Sequence, residues 1–292
     1  MSAPHRIAVI GAGPAGVSAA VEVARLGFEP LLFDASGSAG GLVEDAFEVR
    51  NIPGSPMTGR EVAGSLSNLL ELWGIRVERR SITSLECGLR GVVLRDSTGG
   101  VTQAPAVVAA TGTEAVTPSI EGLPGSFGAG VYPSARALLA GSPEGPACVI
   151  GGGDAAFDQA RLLASHGRAA TVVCRAVRPK APTWLVRAAL EAGVGLLAGT
   201  VVEQAESCRG GFILRLGEPG RTQRRARASG ARGFLEAGAV LFAIGRRPVL
   251  PDISGECAHG RLAVAGDATG RAERYVPAAM ADGCLAARRL LG

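Results

Sequence analysis

The feature that most constrains how this chain can fold is an internal echo. Residues 5–34 (HRIAVIGAGPAGVSAAVEVARLGFEPLLFD) and 146–175 (PACVIGGGDAAFDQARLLASHGRAATVVCR) share one plan. Each runs from a short apolar strand through a Gly-rich turn into a helix of small residues. A Gly then lies near the helix end, and a second strand rich in Leu or β-branched residues follows. The turns begin at Gly11 and Gly151, 140 residues apart. That spacing is too long for a solenoid repeat and suits two copies of a dinucleotide-binding βαβ unit. The expected fold class is α/β, with two Rossmann-like domains of three layers (ββα), the second inserted into the first. The boundaries expected are 1–114 and 246–292 for the outer domain and 115–245 for the inserted one.

The segments between the echoes support this plan. Residues 58–73 place Val62, Leu66, Leu69, Leu70 and Trp73 on one helical face. Thr58 and Glu61 have capping-box spacing at its start, and Gly74 follows its end. Residues 113–130, rich in Pro and Gly, read as a linker out of the first domain, and Gly245–Pro248 as a linker back. A strand is expected over 261–267, with Asp267 at its end. A last helix follows, with Pro277 in its first turn and Arg288 and Arg289 in its last.

Composition narrows the function. Hydrophobic residues make up 47% and charged residues 19%, enough apolar surface to fold. The net charge of +4 argues against a nucleic-acid binder. One basic cluster, Arg221, Arg224, Arg225, Arg227 and Arg232, reads as a solvated hairpin loop. No apolar run approaches the roughly 18 residues of a membrane helix, and the N-terminus leads directly into a strand. A soluble, cytoplasmic protein is expected. Cys87, Cys148, Cys174, Cys208, Cys257 and Cys284 contain no Cys-x-x-Cys pair, so reduced, mostly buried thiols are expected and no metal site. His5, His166 and His259 are scattered, with His166 at a helix end.

The chemistry sits in the two turns. Gly11, Gly13 and Gly16 form G-x-G-x-x-G between strand and helix. The first Gly permits the tight turn, the second the approach of a pyrophosphate, and the third close helix–strand packing. Asp34, 23 residues after Gly11, ends the next strand, where a carboxylate accepts hydrogen bonds from a ribose diol. Gly151, Gly153 and Ala156 repeat the pattern, but the same offset reaches Cys174, with Arg175, Arg178 and Lys180 beyond it. Guanidinium groups without a carboxylate favour a 2′-phosphate, hence NADPH over NADH.

The order of motifs resembles the low-molecular-weight thioredoxin reductase family of two-domain flavoproteins. GAGPAG (Gly11, Gly13, Pro14, Ala15, Gly16) is similar to its FAD fingerprint. GGLVEDAFEVRNIPG, with Gly41, Leu42 and Asn51, is similar to its isoalloxazine-wrapping segment. AATG, with Thr111 and Gly112, resembles the end of the first FAD section, and AGDAT, with Gly266 and Asp267, the Gly-Asp signature. GGGDAA (Gly151, Gly153, Asp154, Ala155, Ala156) resembles the NADPH fingerprint, and AIGRRP, with Gly245, the return crossover. The resemblance implies FAD in the outer domain, NADPH or NADH in the inserted one, and a homodimer. It also places Arg274, Tyr275 and Val276 beside the flavin.

Two departures matter. Aligning 128–141 with the family's redox segment puts Ser134 and Ala137 at its two cysteine positions, so the disulfide chemistry of a conventional thioredoxin reductase is lost. Ser134, Arg136 and Tyr275 are left as candidate groups near the flavin. The family's paired arginines become Arg175–Ala176, with Arg178 or Lys180 to substitute. The leading expectation is an FAD-dependent NAD(P)H oxidoreductase that passes electrons to a protein or small-molecule acceptor, as dithiol-less ferredoxin–NADP reductases of this type do. The alternatives are an FAD-dependent oxidase or dehydrogenase of a small molecule with a vestigial nucleotide domain, and a non-catalytic flavin-binding subunit or redox sensor.

Overall fold

The computed structural model describes residues 6–54, 56–117, 119–220, 233–257 and 260–292. The arginine cluster at 221–232, His5 and His259 lie outside the described residues. Two compact units emerge: 1–44, 48–114 and 247–292 form the first, and 45–47 with 115–246 form the second.

The first unit begins with β1 (Arg6–Ile10), α1 (Pro14–Arg25) and β2 (Glu29–Asp34). After α2 (Gly59–Leu72) come β3 (Val77–Arg79), β4 (Ile82–Gly88), β5 (Gly91–Asp96), β6 (Val101–Ala104), β7 (Val107–Ala109) and β8 (Thr113–Ala115). The second unit carries β9 (Val131–Tyr132), α3 (Ala135–Gly141), β10 (Ala147–Gly151), α4 (Asp154–Ser165), β11 (Ala170–Cys174), α5 (Thr183–Glu191) and β12 (Gly195–Ala198). An antiparallel set follows: β13 (Val201–Cys208), β14 (Gly211–Gly217) and β15 (Gly233–Ala237), then β16 (Ala239–Ala243). The chain returns through β17 (Arg246–Pro248), which pairs with β8, then β18 (Asp252–Ser254), β19 (Leu262–Val264) and α6 (Val276–Leu291).

Each unit stacks a parallel sheet between helices and a smaller, mainly antiparallel sheet. In the first, the parallel order is β19-β7-β1-β2-β3 and the second sheet is β18-β4-β5-β6. Ala8, Ile10 and Phe33 of the parallel sheet share a buried cluster with Leu85, Val92 and Leu94 of the other. In the second unit the parallel order is β12-β11-β10-β16-β9, backed by β13-β14-β15. Strand periodicity sorts its core. Ala147, Val149, Ala239 and Leu241 pack with Phe157, Leu163 and Leu185 of the helices. Their neighbours Cys148, Val240 and Phe242 pack with Phe212 and Leu214 of the antiparallel strands. These are the two three-layer, Rossmann-like units expected from the sequence. Among the described residues no helix is long and apolar enough to cross a membrane.

The predicted helix over 58–73 forms with its capping box intact: Glu61 N–H donates to Thr58 Oγ1, and Thr58 N–H to Glu61 Oε2. Val62, Leu66 and Leu70 are buried, but Trp73 is 40% exposed, because it caps the C-terminus where Gly74 (φ +64°) turns the chain away. α6 also forms as predicted, with Pro277 at its start and Arg288 in its last turn. Arg288 Nε pairs with Glu22 of α1 at 2.7 Å. Asp267 does not end a strand. β19 stops at Val264, and Gly266 (φ +66°) turns the chain into a 3-10 helix over Gly266–Thr269 that contains Asp267.

The cysteines need a larger correction. Cys148 and Cys174 are buried free thiols, but Cys208 is exposed, and Cys87 is joined to Cys257 by a disulfide. The partners are 170 residues apart in sequence. Parallel pairing of β18 with β4 brings them to a Cα–Cα distance of 4.8 Å, and no local spacing could announce that pairing.

Candidate functional site

The first Gly-rich turn is held from three sides. Gly11 N–H donates to the Phe33 carbonyl and Ala110 N–H to the Ile10 carbonyl, tying the ends of β1, β2 and β7 together. Gly11 adopts φ +98°, and a Cβ there would lie 2.8 Å from the Ala110 carbonyl carbon. A Cβ on Gly16 would lie 2.8 Å from the Gly11 carbonyl carbon and closer still to its oxygen. These two glycines are required by the protein's own packing. Gly13 differs. Its φ of −73° suits any residue, and the atom nearest to a methyl placed there would be the Gly40 carbonyl oxygen, 3.9 Å away.

Helix α1 starts beside that open space. Gly13 is its N-cap without a capping side chain, Pro14 fills the first turn, and the first turn has no acid. The helix therefore presents unsatisfied N–H groups and positive potential, the arrangement that receives a phosphate. Gly40 and Gly41 border the same space: Gly40 N–H donates to the Ala12 carbonyl, and a Cβ on Gly41 would come 3.2 Å from Gly13 Cα. Leu42, 40% exposed, follows in a 3-10 turn.

Asp34 ends β2 as expected and is already engaged. Its Oδ2 accepts from Ala12 N–H at 2.8 Å, and its Oδ1 accepts from Ser36 N–H at 2.8 Å and Ser36 Oγ at 2.6 Å. Oδ1 is filled by its two bonds from Ser36, whereas Oδ2 keeps a second lone pair, so the group is positioned with acceptor capacity left for a ribose hydroxyl.

Gly266 reaches the same helix from the C-terminal part of the unit, where a Cβ on it would lie 2.6 Å from Ala15 Cβ. Its N–H donates to Asp282 Oδ2 at 2.8 Å, and Arg271 Nη1 donates to Asp282 Oδ1 at 3.1 Å. Asp282 is buried on α6 and shapes the Gly266–Asp267 turn. Sequence reasoning missed it. The available signal was a lone acid in the otherwise apolar and basic helix VPAAMADGCLAARRLL. Thr111 Oγ1 donates to the Val249 carbonyl, and Gly112 (φ +69°) accepts from Val249 N–H. Tyr275 caps α6 and is 56% exposed, with Arg274 before it and Val276 as the first helical residue. Asn51 lies exposed in a bend.

The second turn repeats the logic with different residues. A Cβ on Gly151 would come 2.9 Å from the Ala243 carbonyl carbon, and one on Gly152 would overlap Cys174 Sγ. A Cβ on Gly153 would meet nothing within 4 Å. Gly153 caps α4 without a side-chain bond, Asp154 and Ala155 open the helix exposed, and Ala156 is fully buried. Cys174, at the place of Asp34, packs against the turn instead of offering a carboxylate. The loop beyond it folds back: Lys180 N–H donates to the Gly152 carbonyl at 2.7 Å and Ala181 N–H at 3.1 Å. Arg175, Arg178 and Lys180 are exposed on this loop. Gly245 (φ +127°) accepts from Val116 N–H.

Ser134 and Arg136 are engaged inside the second unit. Ser134 is buried and caps α3 by accepting from Ala137 N–H at 3.2 Å. Arg136 Nε faces Asp45 Oδ1 at 3.5 Å. Burial pushes the Asp45 carboxyl above its ordinary range, opposed by Arg136 and Ser134. Gln159 bridges the group: its Oε1 accepts from Ala135 N–H and its Nε2 donates to the Asp45 carbonyl. Phe47 N–H donates to Asp158 Oδ2, and Arg161 stacks 4.8 Å over the Phe47 ring. These pairings were not legible in the sequence, since Asp45 and Gln159 lie 114 residues apart and Phe47 and Asp158 111.

Cys148, in β10, is fully buried, and burial raises its thiol to about 12, which marks it as core. His166 ends α4, with Nδ1 against the Leu162 carbonyl.

Comparison with known proteins agrees with this geometry. The profile of the family described as "Pyridine nucleotide-disulphide oxidoreductase" matches residues 5–273. A thioredoxin reductase of Mycolicibacterium smegmatis is 30% identical over 251 residues, covering 84% of this chain and 76% of that protein. A thioredoxin reductase of Streptomyces coelicolor is 29% identical over 177 residues, 60% of this chain and 55% of that protein, so this match spans about half the relative's length. Among solved structures, the Lactococcus lactis and T. acidophilum thioredoxin reductases each superpose with a TM-score of 0.83 at 21% identity, covering 98% of this chain and 97% of theirs. With two Gly-rich turns on parallel sheets and a family match over nearly its whole length, the chain belongs to the pyridine nucleotide-disulphide oxidoreductases, as a thioredoxin reductase-like member.

Proposed function

We propose that this protein is an FAD-dependent NAD(P)H oxidoreductase whose electrons leave for an acceptor other than a dithiol of its own redox segment. The observation that carries the reading is the pair Gly13 and Gly153. Each sits at an uncapped helix N-terminus, and at each a Cβ would fit the protein itself. The space they leave open is therefore the space a dinucleotide pyrophosphate needs.

In the first unit, Gly11, Gly13, Pro14, Ala15 and Gly16 cradle the FAD pyrophosphate, and Asp34 accepts from the adenosine ribose. Gly41, Leu42, Asn51, Thr111, Gly112, Gly266, Asp267, Arg274, Tyr275 and Val276 complete its binding surface. Bound there, FAD supplies two-electron chemistry with a nicotinamide and one- or two-electron chemistry with an acceptor. In the second unit, Gly151, Gly153, Asp154, Ala155, Ala156 and Gly245 receive the nicotinamide dinucleotide. The exposed Arg175, Arg178 and Lys180, with buried Cys174 in place of a carboxylate, support NADPH over NADH.

Ser134 and Ala137 replace the two thiols, and Ser134 is committed to capping α3 while Arg136 is committed to Asp45. The segment thus serves as structure, which supports electron transfer directly to an external redox protein or small molecule. The test is an anaerobic titration of the purified protein with NADPH and, separately, NADH, followed by the flavin's visible absorbance. Stoichiometric bleaching with NADPH preferred is expected, followed by reoxidation by one member of a panel containing thioredoxin, ferredoxin, quinone and dioxygen. Bound FAD that neither nucleotide bleaches overturns the reading, as does reduction of thioredoxin at the rate of a dithiol enzyme.

A further inference from the structure

We propose that Cys87–Cys257 is a thiol-exchangeable redox site whose oxidised state clamps the returning chain onto the first unit, with low-molecular-weight thiols and disulfides as its reactants. This inference stands apart from the proposed flavin chemistry. The site is built by the fold. β18 lies parallel on β4, with Asp252, Ile253 and Ser254 opposite Ser84, Leu85 and Glu86. Gly255 (φ +76°) then passes so close to Cys87 that a Cβ would come 3.3 Å from its carbonyl carbon. The cysteines follow at a Cα–Cα distance of 4.8 Å, within the range a disulfide spans without backbone movement. Beyond them, Arg261 Nη2 donates to the Leu89 carbonyl at 2.7 Å.

The two sulfurs differ in access. Cys87 is buried in the cluster with Leu85, Val92 and Leu94, at 7% exposure, whereas Cys257 is half-buried at the edge of that cluster. An incoming thiolate therefore reaches Cys257. Its sulfur bonds to Cys257 Sγ as the Cys87–Cys257 bond breaks, and Cys87 leaves as a thiolate that takes a proton. A second thiol attacks the mixed disulfide on Cys257. It releases the small disulfide and leaves two protein thiols, so two RSH are oxidised to RSSR as the protein disulfide is reduced. The reverse sequence, with RSSR as oxidant, restores the cross-link.

Among the described residues, the part of the returning chain next to Cys257 is held by β18 and by Ser254 Oγ, which donates to the Leu85 carbonyl at 3.5 Å. All three residues of β18 are exposed, and among the described residues β18 pairs only with β4, at the edge of the sheet. Local opening of such a segment is low in cost once its covalent tie is cut.

The test equilibrates the intact protein in reduced and oxidised glutathione at varied ratios, quenches in acid, alkylates and maps peptides by mass spectrometry, with amide exchange measured in parallel. Expected are a linked 87–257 peptide in oxidised native protein and a single glutathione adduct on Cys257 at intermediate ratios. At full reduction, amide exchange should be several-fold faster over 252–257, with β1 and β7 unchanged. Exposed Cys208 and buried Cys148 serve as reactive and unreactive internal controls. A Cys257→Ser variant should show the fast-exchange behaviour at every ratio, and the wild-type titration remains decisive should that variant misfold. The proposal falls if oxidised native protein yields no linked peptide, if glutathione opens the bond only in denaturant, if the adduct forms on Cys87, or if reduction leaves exchange over 252–257 unaltered.

Discussion

Replacing Gly16 and Gly13 separately by Ala tests whether the first turn is shaped by its own packing or by a ligand. At Gly16 the added methyl lies 2.8 Å from the Gly11 carbonyl carbon and closer to its oxygen. Ordinary contact needs roughly 3.4 Å or more, so α1 must withdraw from β1 by well over half an ångström. Overpacking of this kind costs about 1–3 kcal/mol, and here backbone opposes backbone, so the upper end applies. For a unit of this size each kcal/mol moves Tm by about 2–4 °C, so Gly16→Ala should melt about 6–12 °C lower, with or without flavin. At Gly13 the backbone is already extended (φ −73°, ψ −177°) and the nearest atom is 3.9 Å away. Gly13→Ala should leave the flavin-free protein unchanged or stabilise it by about 0.4–1 kcal/mol through the unfolded chain. Yet the methyl occupies the approach to the α1 N-terminus, and losing about 1.4–2.8 kcal/mol of phosphate contact weakens FAD binding about 10- to 100-fold. Differential scanning fluorimetry on apo and FAD-reconstituted protein, with a flavin fluorescence titration, reads both effects. A Gly13→Ala protein that binds FAD as tightly as wild type refutes the cradle, and one that melts as low as Gly16→Ala without flavin refutes the division of roles.

Other consequences follow from named contacts. Hydrogen bonding from Arg25 holds the Glu22 carboxyl down to about 2, with Cys284 and Arg288 assisting against burial. Since the unfolded value is 4.5, this stabilisation is fully present above that pH and is lost as pH falls from about 4.5 toward 2; Glu22→Gln should flatten the acid limb of a Tm–pH profile over that window. Asp282→Ala removes the acceptor for Gly266 N–H, which should cost about 1–3 kcal/mol in urea unfolding, with Asp282→Asn milder because an oxygen acceptor remains. Cys148, raised to about 12, should resist iodoacetamide in mildly alkaline buffer until the protein unfolds; ready labelling of the native protein would show that β10 opens locally. Arg175→Ala with Arg178→Ala should raise KM for NADPH about 10- to 100-fold and leave that for NADH within about twofold.

What the sequence revealed and what it hid divide along a physical line. Gly-rich turns, capping boxes and strand periodicity are set by neighbours within a few residues, so the duplicated βαβ plan, the Thr58 cap and the start of α6 are all readable. Contacts made by tertiary pairing are not. The Cys87–Cys257 bond depends on β18 lying beside β4. The Asp45–Gln159–Ser134 group joins three distant segments, and Asp282 meets Gly266 only because α6 folds back over its own entrance. The apolar run from Leu262 continues through Ala265, and periodicity alone extends a strand along it to Asp267. The strand is ended instead by Gly266, whose left-handed backbone is held by a bond to Asp282, on a helix that begins ten residues later.

On the proposed reading one scaffold serves two ligands, and the two turns differ accordingly. Both use a glycine of positive φ to leave the strand, and both leave the second glycine's Cβ space empty. They differ at the third position and at the tip of the following strand. In the first unit Gly16 is compulsory, because its helix lies against the Gly11 carbonyl. In the second, Ala156 takes that place and is fully buried, so the turn there accommodates a methyl group. At the strand tip, Asp34 uses one lone pair on Ala12 N–H and so fixes a carboxylate at the turn, whereas Cys174 fills the volume beside Gly152 and supplies no acceptor. Electrostatics follows from that exchange. The first turn combines a helix N-terminus with a fixed negative charge, suited to a phosphate beside a ribose diol. The second combines a helix N-terminus with Arg175, Arg178 and Lys180, suited to a ligand with phosphate in both places. Restoring the acid tests this directly: Cys174→Asp should shift nucleotide preference toward NADH, since a carboxylate among the arginines neutralises them and offers the ribose an acceptor. A Cys174→Asp protein that folds and keeps its NADPH preference would place the 2′-phosphate recognition elsewhere on the second unit.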